Sequence, residues 1–401
     1  MNATARSFSK RLTGRVAALV NAPLPAEMLV PELAIALQRA VGTDGALPIV
    51  LTTDPAQEPP HAFRVWRGAE TNTDELRGLL QLGVWPGPST LPSLQHLLRE
   101  PAPRSVYAAA LWGEGCNEDG PWVPLWRERQ VRHGYYLVAF TAAGSVVAVL
   151  LSRRPASAAF TAHDIAAGTD LVRFITAVAN RAAQQELVCD VVADEAPIAF
   201  SAACRMTSLG IGGPELLRDL GGGGDGARAQ GRYLVEHAAR RFHAAVLDQP
   251  SVATVAAAVT PTPEEDAVFM RNHFSLVMDG RARTPRKERV ATTVFGTFEL
   301  QLVASNDLQT GATQILGTLR RLVPRSLAVV RALVETDAPG REIELALQLV
   351  TGKSLTEISE ALGVAPASAK TLLRRLGDRF GASGREHVVQ AMVQRGSAVI
   401  R

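Results

Sequence analysis

Cysteine is scarce in this sequence. Its 401 residues include three cysteines, Cys116, Cys189 and Cys204, and no two of them form a CxxC pair. An odd number of widely spaced cysteines predicts neither a disulfide framework nor a zinc site, because both need regularly spaced pairs. We interpret the three as reduced thiols that pack as small apolar groups.

Long hydrophobic runs are also lacking. No apolar stretch approaches the roughly 20 residues that a membrane-spanning helix needs. The segment Met1–Ala22 holds one apolar run, Val16–Val20, which is too short for the core of a secretory signal. The sequence therefore predicts an amphipathic N-terminal helix, a cytoplasmic protein and no membrane partner.

Charge of one sign does not dominate the chain. The net charge is +3, with 47% hydrophobic and 20% charged residues, which is typical of a folded protein. A chain of 401 residues exceeds one hydrophobic core, so two or three domains are expected. Residues Ala338–Arg401 carry nine Lys/Arg against six Asp/Glu, an excess equal to that of the whole chain. This basic end indicates nucleic acid as a partner, although most basic segments are simply solvated.

Motifs of the common enzyme classes are missing. The sequence has no HExxH and no GxSxG. Residues 352–354, Gly-Lys-Ser, match the end of a P-loop, but Leu347 occupies the position of the first glycine. We therefore expect no catalytic site, and the protein is not predicted to be an enzyme.

Cofactor and metal motifs are equally weak. Residues 221–226, GGGGDG, satisfy GxGxxG only because a glycine run satisfies almost any glycine pattern, and no strand precedes them. His237 and His243, six residues apart on one predicted helix, do not share a face suited to one metal ion. We predict no cofactor and no metal, and we interpret residues 221–224 as a flexible loop or hinge.

The first 187 residues carry an α+β pattern. Periodicity predicts a helix over residues 24–41, strands at Leu47–Thr52 and Ala62–Arg67, and a hairpin with a glycine turn at Tyr135–Arg153. Thr161 is a good N-cap with Asp164 in the first turn, and the helix that follows is predicted to run to Leu187. Hairpin, short loop and long helix resemble the C-terminal half of a GAF sensor domain, so residues 1–187 are assigned to a GAF-like domain.

The next segment, residues 188–330, has a second α+β pattern. We predict helices at Ala227–Leu247 and Pro263–Met278, and strands at Phe298–Leu302 and Gln314–Leu322. Strands at the end of such a segment resemble the end of a PAS-like module. The segment is therefore predicted to be PAS-like or another second sensor module.

Aromatic residues are few, at 5%, and several gather in one place. The cluster comprises Trp112, Trp122, Trp126, Tyr135 and Tyr136. Two hypotheses stay open for it: a hydrophobic core, or part of a sensor pocket for a small-molecule effector. Cys116 is followed by Asn117, without the Cys-His pair of bilin-binding GAF domains, so no chromophore is expected.

Near the C-terminus, local signals predict two short helices joined by a tight turn. Ser354 and Glu357 form the S-x-x-E pattern of a capping box. Gly363 suits the turn, and Pro366 suits the first turn of the second helix. Apolar residues of that helix form a stripe that is predicted to pack inward: Ala369, Leu372, Leu373, Leu376 and Phe380.

Residues 341–396 also carry short motifs at fixed spacing. They are Arg341–Glu344 (RE-x-E), Gly352–Ser354, Leu362–Val364 (Leu-Gly-Val) and Ser368–Lys370. This series resembles the DNA-binding domain of LuxR-type transcription regulators. The resemblance implies a helix-turn-helix whose second helix enters the major groove of double-stranded DNA.

The outward side of that second helix is small and basic. Lys370, Thr371 and Arg374 are spaced i, i+1 and i+4, so we predict that they project together and contact bases. Lys353 is predicted to contact phosphate. The predicted DNA-binding residues are Lys353, Ser354, Ala367, Ser368, Lys370, Thr371, Arg374 and Arg375.

Three positions depart from the LuxR pattern. Ala338-Pro339-Gly340 stands where the family has Leu-Thr-Pro, so the domain is expected to pack differently at its start. Ala365 replaces a serine N-cap, a loss of roughly 0.5–2 kcal/mol of helix stability. Gly377 lies inside the second helix and is expected to cost about 1 kcal/mol against alanine.

A further helix after Ser383 carries Val388, Val389, Met392 and Val393. In LuxR-type proteins such a helix often mediates dimer contact. We therefore predict a homodimer on a two-fold-related site, with Val388, Met392 and Val393 at the dimer surface. The alternative, in which these side chains close the domain core, stays open.

Together, the sequence predicts an α+β multidomain transcription regulator, in which a sensor region controls a C-terminal helix-turn-helix domain at residues 331–401. Residues 1–120 lack the acidic pair of a receiver domain, so phosphorylation is not the expected input. One competing hypothesis is a protein-interaction or scaffold protein with an accessory helix-turn-helix. Another is an enzyme within residues 190–330.

Overall fold

The structure of the chain is a computed structural model. The described residues are 13–53, 61–65, 103–108, 132–140, 146–154, 156–181, 187–201, 203–222, 226–247, 286–293, 295–306 and 313–398. They group into two compact units, Met1–Leu187 together with Arg325–Val399, and Val188–Pro324. The fold is a mixture of helices and antiparallel sheets, as the α+β prediction states.

The N-terminal part of the first unit contains a five-stranded antiparallel sheet. Its elements are helix α1 (Ala26–Val41), strands β1 (Gly45–Thr53), β2 (His61–Val65), β3 (Arg104–Ala108), β4 (His133–Phe140) and β5 (Val146–Arg153), and helix α2 (Ala162–Ala179). The strand order is β2-β1-β5-β4-β3. Strand β4 is buried along its whole length, because α2 packs on it. The predicted strands and the Tyr135–Arg153 hairpin are confirmed.

Helix α2 begins where the sequence predicts and ends earlier. Thr161 and Asp164 form a complete capping box, in which the Thr161 N–H donates to the Asp164 carboxylate at 2.9 Å. The prediction that this helix continues to Leu187 is wrong, because Asn180 ends it. The Asn180 side-chain amide donates to the carbonyl oxygens of Phe140 and Thr176, a contact between a strand and a helix end that periodicity does not reveal.

The second unit repeats the strand order of the first sheet. Its elements are β6 (Val191–Phe200), β7 (Met206–Leu209), α3 (Gly213–Leu220), α4 (Ala227–Leu247), β8 (Arg286–Thr293), β9 (Gly296–Asn306) and β10 (Thr313–Val323). The order is β7-β6-β10-β9-β8, and every pair is antiparallel. The first and last strands lie side by side, with Val191 opposite Val323. The predicted α4, β9 and β10 are confirmed.

Several sequence predictions fall on residues outside the described ranges. They concern the helix Pro263–Met278, the aromatic residues Trp112, Trp122 and Trp126, Cys116, and residues 223–225 of the glycine run. Tyr135 and Tyr136 of the aromatic cluster are described and fully buried. Among the described residues, no helix is both long and apolar enough to cross a membrane. The same residues contain no group of three His, Cys, Asp or Glu side chains placed to hold a metal ion.

Five helices complete the first unit. They are α5 (Arg325–Glu335), α6 (Gly340–Val350), α7 (Leu355–Ala361), α8 (Pro366–Phe380) and α9 (Arg385–Ala398). The predicted boundary between residues 330 and 331 falls inside α5. Strand β10 ends at Val323 and α5 begins at Arg325, so one residue separates them. No linker rich in Pro, Gly or Ser marks this boundary in the sequence.

The second unit contains a buried cluster of charges. On β10, Arg321 contacts Asp194 of β6 at 2.6 Å and Asp219 of α3 at 3.2 Å. Arg321 is 4% exposed and Asp219 is 2% exposed. Charges removed from water this completely are stable only while both signs are present.

Replacing Asp219 by alanine should therefore destabilise the second unit by about 3–5 kcal/mol, because Asp219 pairs with two buried guanidinium groups, those of Arg218 and Arg321, and both would lose this carboxylate. Glu195→Ala is the matched control, since Glu195 pairs with Arg320 of the same sheet while its side chain is 56% exposed. A surface pair of this kind is worth about 0–1 kcal/mol. Urea unfolding of both variants checks the difference, and equal midpoints would contradict a stabilising role for the buried cluster.

Candidate nucleic-acid interface

The first helix of the predicted pair starts with the expected capping box. The Ser354 N–H and O–H both donate to the Glu357 carboxylate at 2.7 Å, and the Glu357 N–H returns a bond to the Ser354 hydroxyl. These bonds from Ser354 lower the pKa of the Glu357 carboxyl, and the nearby charges of Lys353 and Arg385 lower it further. Both Ser354 donors are therefore used inside the helix start, and a phosphate contact from Ser354 would have to displace Glu357.

The turn between α7 and α8 depends on glycine. Gly363 has φ +62, in the left-handed region that other residues enter only at a cost of about 1–2 kcal/mol. The N–H groups of Gly363 and Val364 donate to the carbonyl oxygens of Glu360 and Ser359, which closes the end of α7. The predicted glycine turn is confirmed, and it fixes the angle at which α8 leaves α7.

Helix α8 is held by a narrow buried stripe. Ala369 and Leu376 are fully buried, whereas Leu372, Leu373 and Phe380 are half-buried. The helix begins after Ala365 without a side-chain cap, with Pro366 in its first turn, and ends at Gly381 in the left-handed conformation. The five residues of the predicted stripe do lie on the inward side of α8, but Leu372, Leu373 and Phe380 are partly exposed at its edges.

Gly377 corrects one expectation. The sequence suggests that alanine would serve the helix better at this position. In the structure, a Cβ atom at Gly377 would lie 2.5 Å from the carbonyl oxygen of Ala382, which belongs to the turn after α8. Glycine is therefore required here by the close approach of the following chain, and the turn can fold back directly onto α8.

One side of α8 is exposed along its N-terminal two-thirds. The exposed residues Ala367, Ser368, Lys370, Thr371, Arg374 and Arg375 form what we call the basic face of α8. The Thr371 hydroxyl donates to the Ala367 carbonyl at 3.0 Å, and its lone pairs remain available as acceptors. Asp378, exposed one turn after Arg374, ends the positive part of this surface. The structure thus brings six of the eight predicted residues onto one helix face.

Lys353 and the cations of the basic face differ in their pairing from three other arginines of the helical domain. Away from this face, Arg341 pairs with Glu344 at 2.9 Å, Arg379 with Glu342 at 3.0 Å, and Arg395 with Glu335 at 3.0 Å. None of Lys353, Lys370, Arg374 and Arg375 forms an ion pair with another residue of the described ranges. Positive charge that no ion pair neutralises among the described residues therefore lies on α8 and just before α7, with Arg385 at the start of α9 as a further case.

Arg379 is a structural residue that sequence reasoning missed. It lies on α8 and donates to the Glu342 carboxylate at 3.0 Å and to the carbonyl oxygen of Thr336 at 2.8 Å. Glu342, on α6, is 4% exposed. The available signal was an acidic residue inside the apolar face of α6, since a buried carboxylate needs a cationic partner.

The predicted dimer surface on α9 needs correction. Met392 and Val388 are 0% and 1% exposed, because α9 packs along α5 of the same chain. Val393 is half-buried. Val388 and Met392 therefore close the core of the helical domain and are not free for a second copy. The sequence missed this because helix α5, which covers them, begins before the predicted domain boundary.

No protein-family model and no curated protein sequence matches the chain. Among solved structures, the chain is similar to one described as the crystal structure of the phage VqmA-DPO complex, with 13% sequence identity and a TM-score of 0.17. That similarity covers 51% of this chain and 84% of the other. A TM-score of this size does not establish a common fold.

Substituting Gly377 by alanine should destabilise the helical domain. The clash with the Ala382 carbonyl is expected to cost about 1–3 kcal/mol, which exceeds the gain of about 1 kcal/mol in helix propensity. Asp378→Ala, at the next and exposed position of α8, is the control and should be close to neutral. Thermal unfolding monitored by circular dichroism compares the two, and a stabilised Gly377→Ala protein would show that the turn is free to move away.

Proposed function

We propose that this chain is a sequence-specific, DNA-binding transcription regulator of the LuxR type, and that it reads double-stranded DNA with the basic face of α8. The observation that carries the proposal is a contrast in pairing: Lys353, Lys370, Arg374 and Arg375 form no ion pair among the described residues, whereas Arg341, Arg379 and Arg395 do. Cations left unpaired on one exposed helix face match the phosphates and base edges of DNA.

The chemistry of the face divides into two roles. Ala367 and Ser368 are small and lie at the start of α8, which allows this end of the helix to approach base edges closely. Lys370 and Arg374 can donate to guanine O6 and N7, and Thr371 can contact either base edges or a thymine methyl group. Lys353 lies outside α8, before α7, and suits a phosphate contact that sets position without reading sequence.

The two sheet-containing regions are proposed to act as sensors. Each has a five-stranded antiparallel sheet with the same strand order, which supports related roles for the GAF-like region and the PAS-like module. A small-molecule effector that binds one conformation of such a region better than another would shift the population of DNA-competent protein.

A homodimer is proposed as the DNA-bound form, because one helix of this size reads few base pairs and a two-fold pair doubles the contacts at a fixed half-site spacing. Its surface is not formed by Val388 and Met392, which are buried. Sedimentation of the full chain with duplex tests the dimer: a complex holding one chain per duplex would contradict it.

The decisive experiment selects duplexes from a random-sequence pool with the full-length protein and measures affinity across salt concentrations. Each phosphate contact is expected to contribute about 0.9 to the slope of log K against log salt. A sequence preference together with a steep slope supports the proposal. Salt-insensitive or absent duplex binding contradicts it and favours the protein-interaction alternative.

Arg374→Ala should weaken binding to the selected duplex by about 1–3 kcal/mol and relax the preference at one base pair, since its guanidinium projects from the middle of the basic face. Arg341→Ala is the matched control: Arg341 has an exposed side chain in the same domain but pairs with Glu344 on α6. Footprinting of both variants checks the assignment, and an Arg374→Ala footprint equal to that of Arg341→Ala would refute it.

Lys353→Ala should weaken binding to every duplex by about the same factor and lower the salt slope by about one unit, because the lost contact is to phosphate. The measurement is the salt titration above, made on the selected duplex and on a scrambled duplex of equal length. A changed sequence preference with an unchanged slope would show that Lys353 contacts a base instead.

A further inference from the structure

Backbone carbonyl groups at the C-terminal end of α5 accept hydrogen bonds from arginine side chains that are distant in sequence. Arg15 donates to the Val334 carbonyl at 2.9 Å, and Arg39 donates to the Val334 and Glu335 carbonyls at 2.7 Å and 2.5 Å. Arg379 of α8 donates to the next carbonyl, that of Thr336, at 2.8 Å. We call residues 334–340 the α5–α6 joint. We call residues 13–41, which contain Arg15 and Arg39, the N-terminal segment. Consecutive carbonyl groups of the joint thus accept hydrogen bonds from both the N-terminal segment and the proposed DNA-reading helix.

Ion pairs add to the same contact. Arg15 also pairs with Asp337 at 2.5 Å, and Glu32 of α1 pairs with Arg331 of α5 at 2.8 Å. The Glu32 and Arg331 side chains are 7% and 11% exposed. Because breaking a buried pair leaves a charge out of water, residues 13–41 and α5 are expected to move together.

The backbones also meet closely at the joint. A Cβ atom at Gly340 would lie 2.6 Å from the carbonyl oxygen of Gly14. Gly340 occupies a position at which the sequence departs from the LuxR pattern. The departure makes room for the N-terminal segment, whose residues 13–20 are helical and bury Val16 and Leu19.

We propose that Arg15 and Arg39 are positioning residues, through which the N-terminal segment sets the orientation of α8 by way of the α5–α6 joint. Arg379 is sensitive to the position of the joint because one of its acceptors, the Thr336 carbonyl, lies within the joint, and the other, the Glu342 carboxylate, follows it in the first turn of α6. A displacement of either acceptor changes the anchoring of α8. The inference rests on the proposed function for its effect on DNA, but the coupling itself is a property of the protein.

The coupling has a readout that needs no DNA. Hydrogen exchange of the full-length protein should become faster in α8 when Arg15 or Arg39 is replaced by glutamine, because the joint loses its donors. Arg39→Gln is the milder variant, since Arg39 is exposed. Arg232→Gln is the matched control: Arg232 also bonds one carbonyl oxygen, of Met206, and one carboxylate, of Glu236, but within the second unit. Equal exchange of α8 in Arg39→Gln, Arg232→Gln and wild type would overturn the coupling.

The effect on recognition is measured with a duplex selected by the wild-type protein. Arg15→Gln and Arg39→Gln should weaken its binding by about fivefold or more, a typical size for coupling between sites, while Arg232→Gln leaves it unchanged. In a double-mutant cycle, Arg15→Gln and Arg379→Gln should be non-additive, because they act through one joint. Additive effects would overturn the positioning role. A wild-type protein without any duplex preference would instead refute the proposed function, and the exchange experiment would still decide the coupling.

Discussion

The carbonyl groups at the end of an α-helix have no partner within the helix, and this requirement organises the first unit. At the end of α5, the carbonyls of Val334 and Glu335 accept hydrogen bonds from Arg15 and Arg39. The carbonyl of Thr336, directly after the helix, accepts one from Arg379. The positive charge of these arginines also suits the negative end of the helix dipole. The relative placement of the N-terminal segment, α5 and α8 therefore depends on one helix end.

The sides of α8 that face the protein are occupied by packing and by one ion pair, and this leaves the cations of the basic face exposed. Ala369 and Leu376 fill the buried stripe, and Arg379 is engaged by Glu342. Lys370, Arg374 and Arg375 take neither role, and they form no ion pair among the described residues. A rigidly anchored helix that carries unpaired cations can hold them in the geometry that base edges require.

Local interactions could be predicted from the sequence, and distant ones could not. The capping boxes of Thr161 and Ser354 and the turn at Gly363 depend on neighbouring residues, so short patterns predict them. The Arg15–Asp337 bond joins residues 322 positions apart, and no periodicity encodes such a pair. The expectation that alanine would suit position 377 better than glycine failed for the same reason. Whether a side chain fits at Gly377 depends on the path of the chain after α8, which helix propensity does not include. At the candidate site, the face of α8 was predictable and its anchoring through Arg379 was not.

The pairing of β6 with β10 has a consequence for how the chain is assembled. These are the first and last strands of the second unit, and Val191 lies opposite Val323, so the two ends of the unit emerge next to each other. The first unit, in turn, is discontinuous in sequence and resumes at Arg325. Residues Val188–Pro324 thus form a unit whose two ends meet and whose five sheet strands all come from its own sequence, which is the arrangement of a module that can be inserted into another domain as a block.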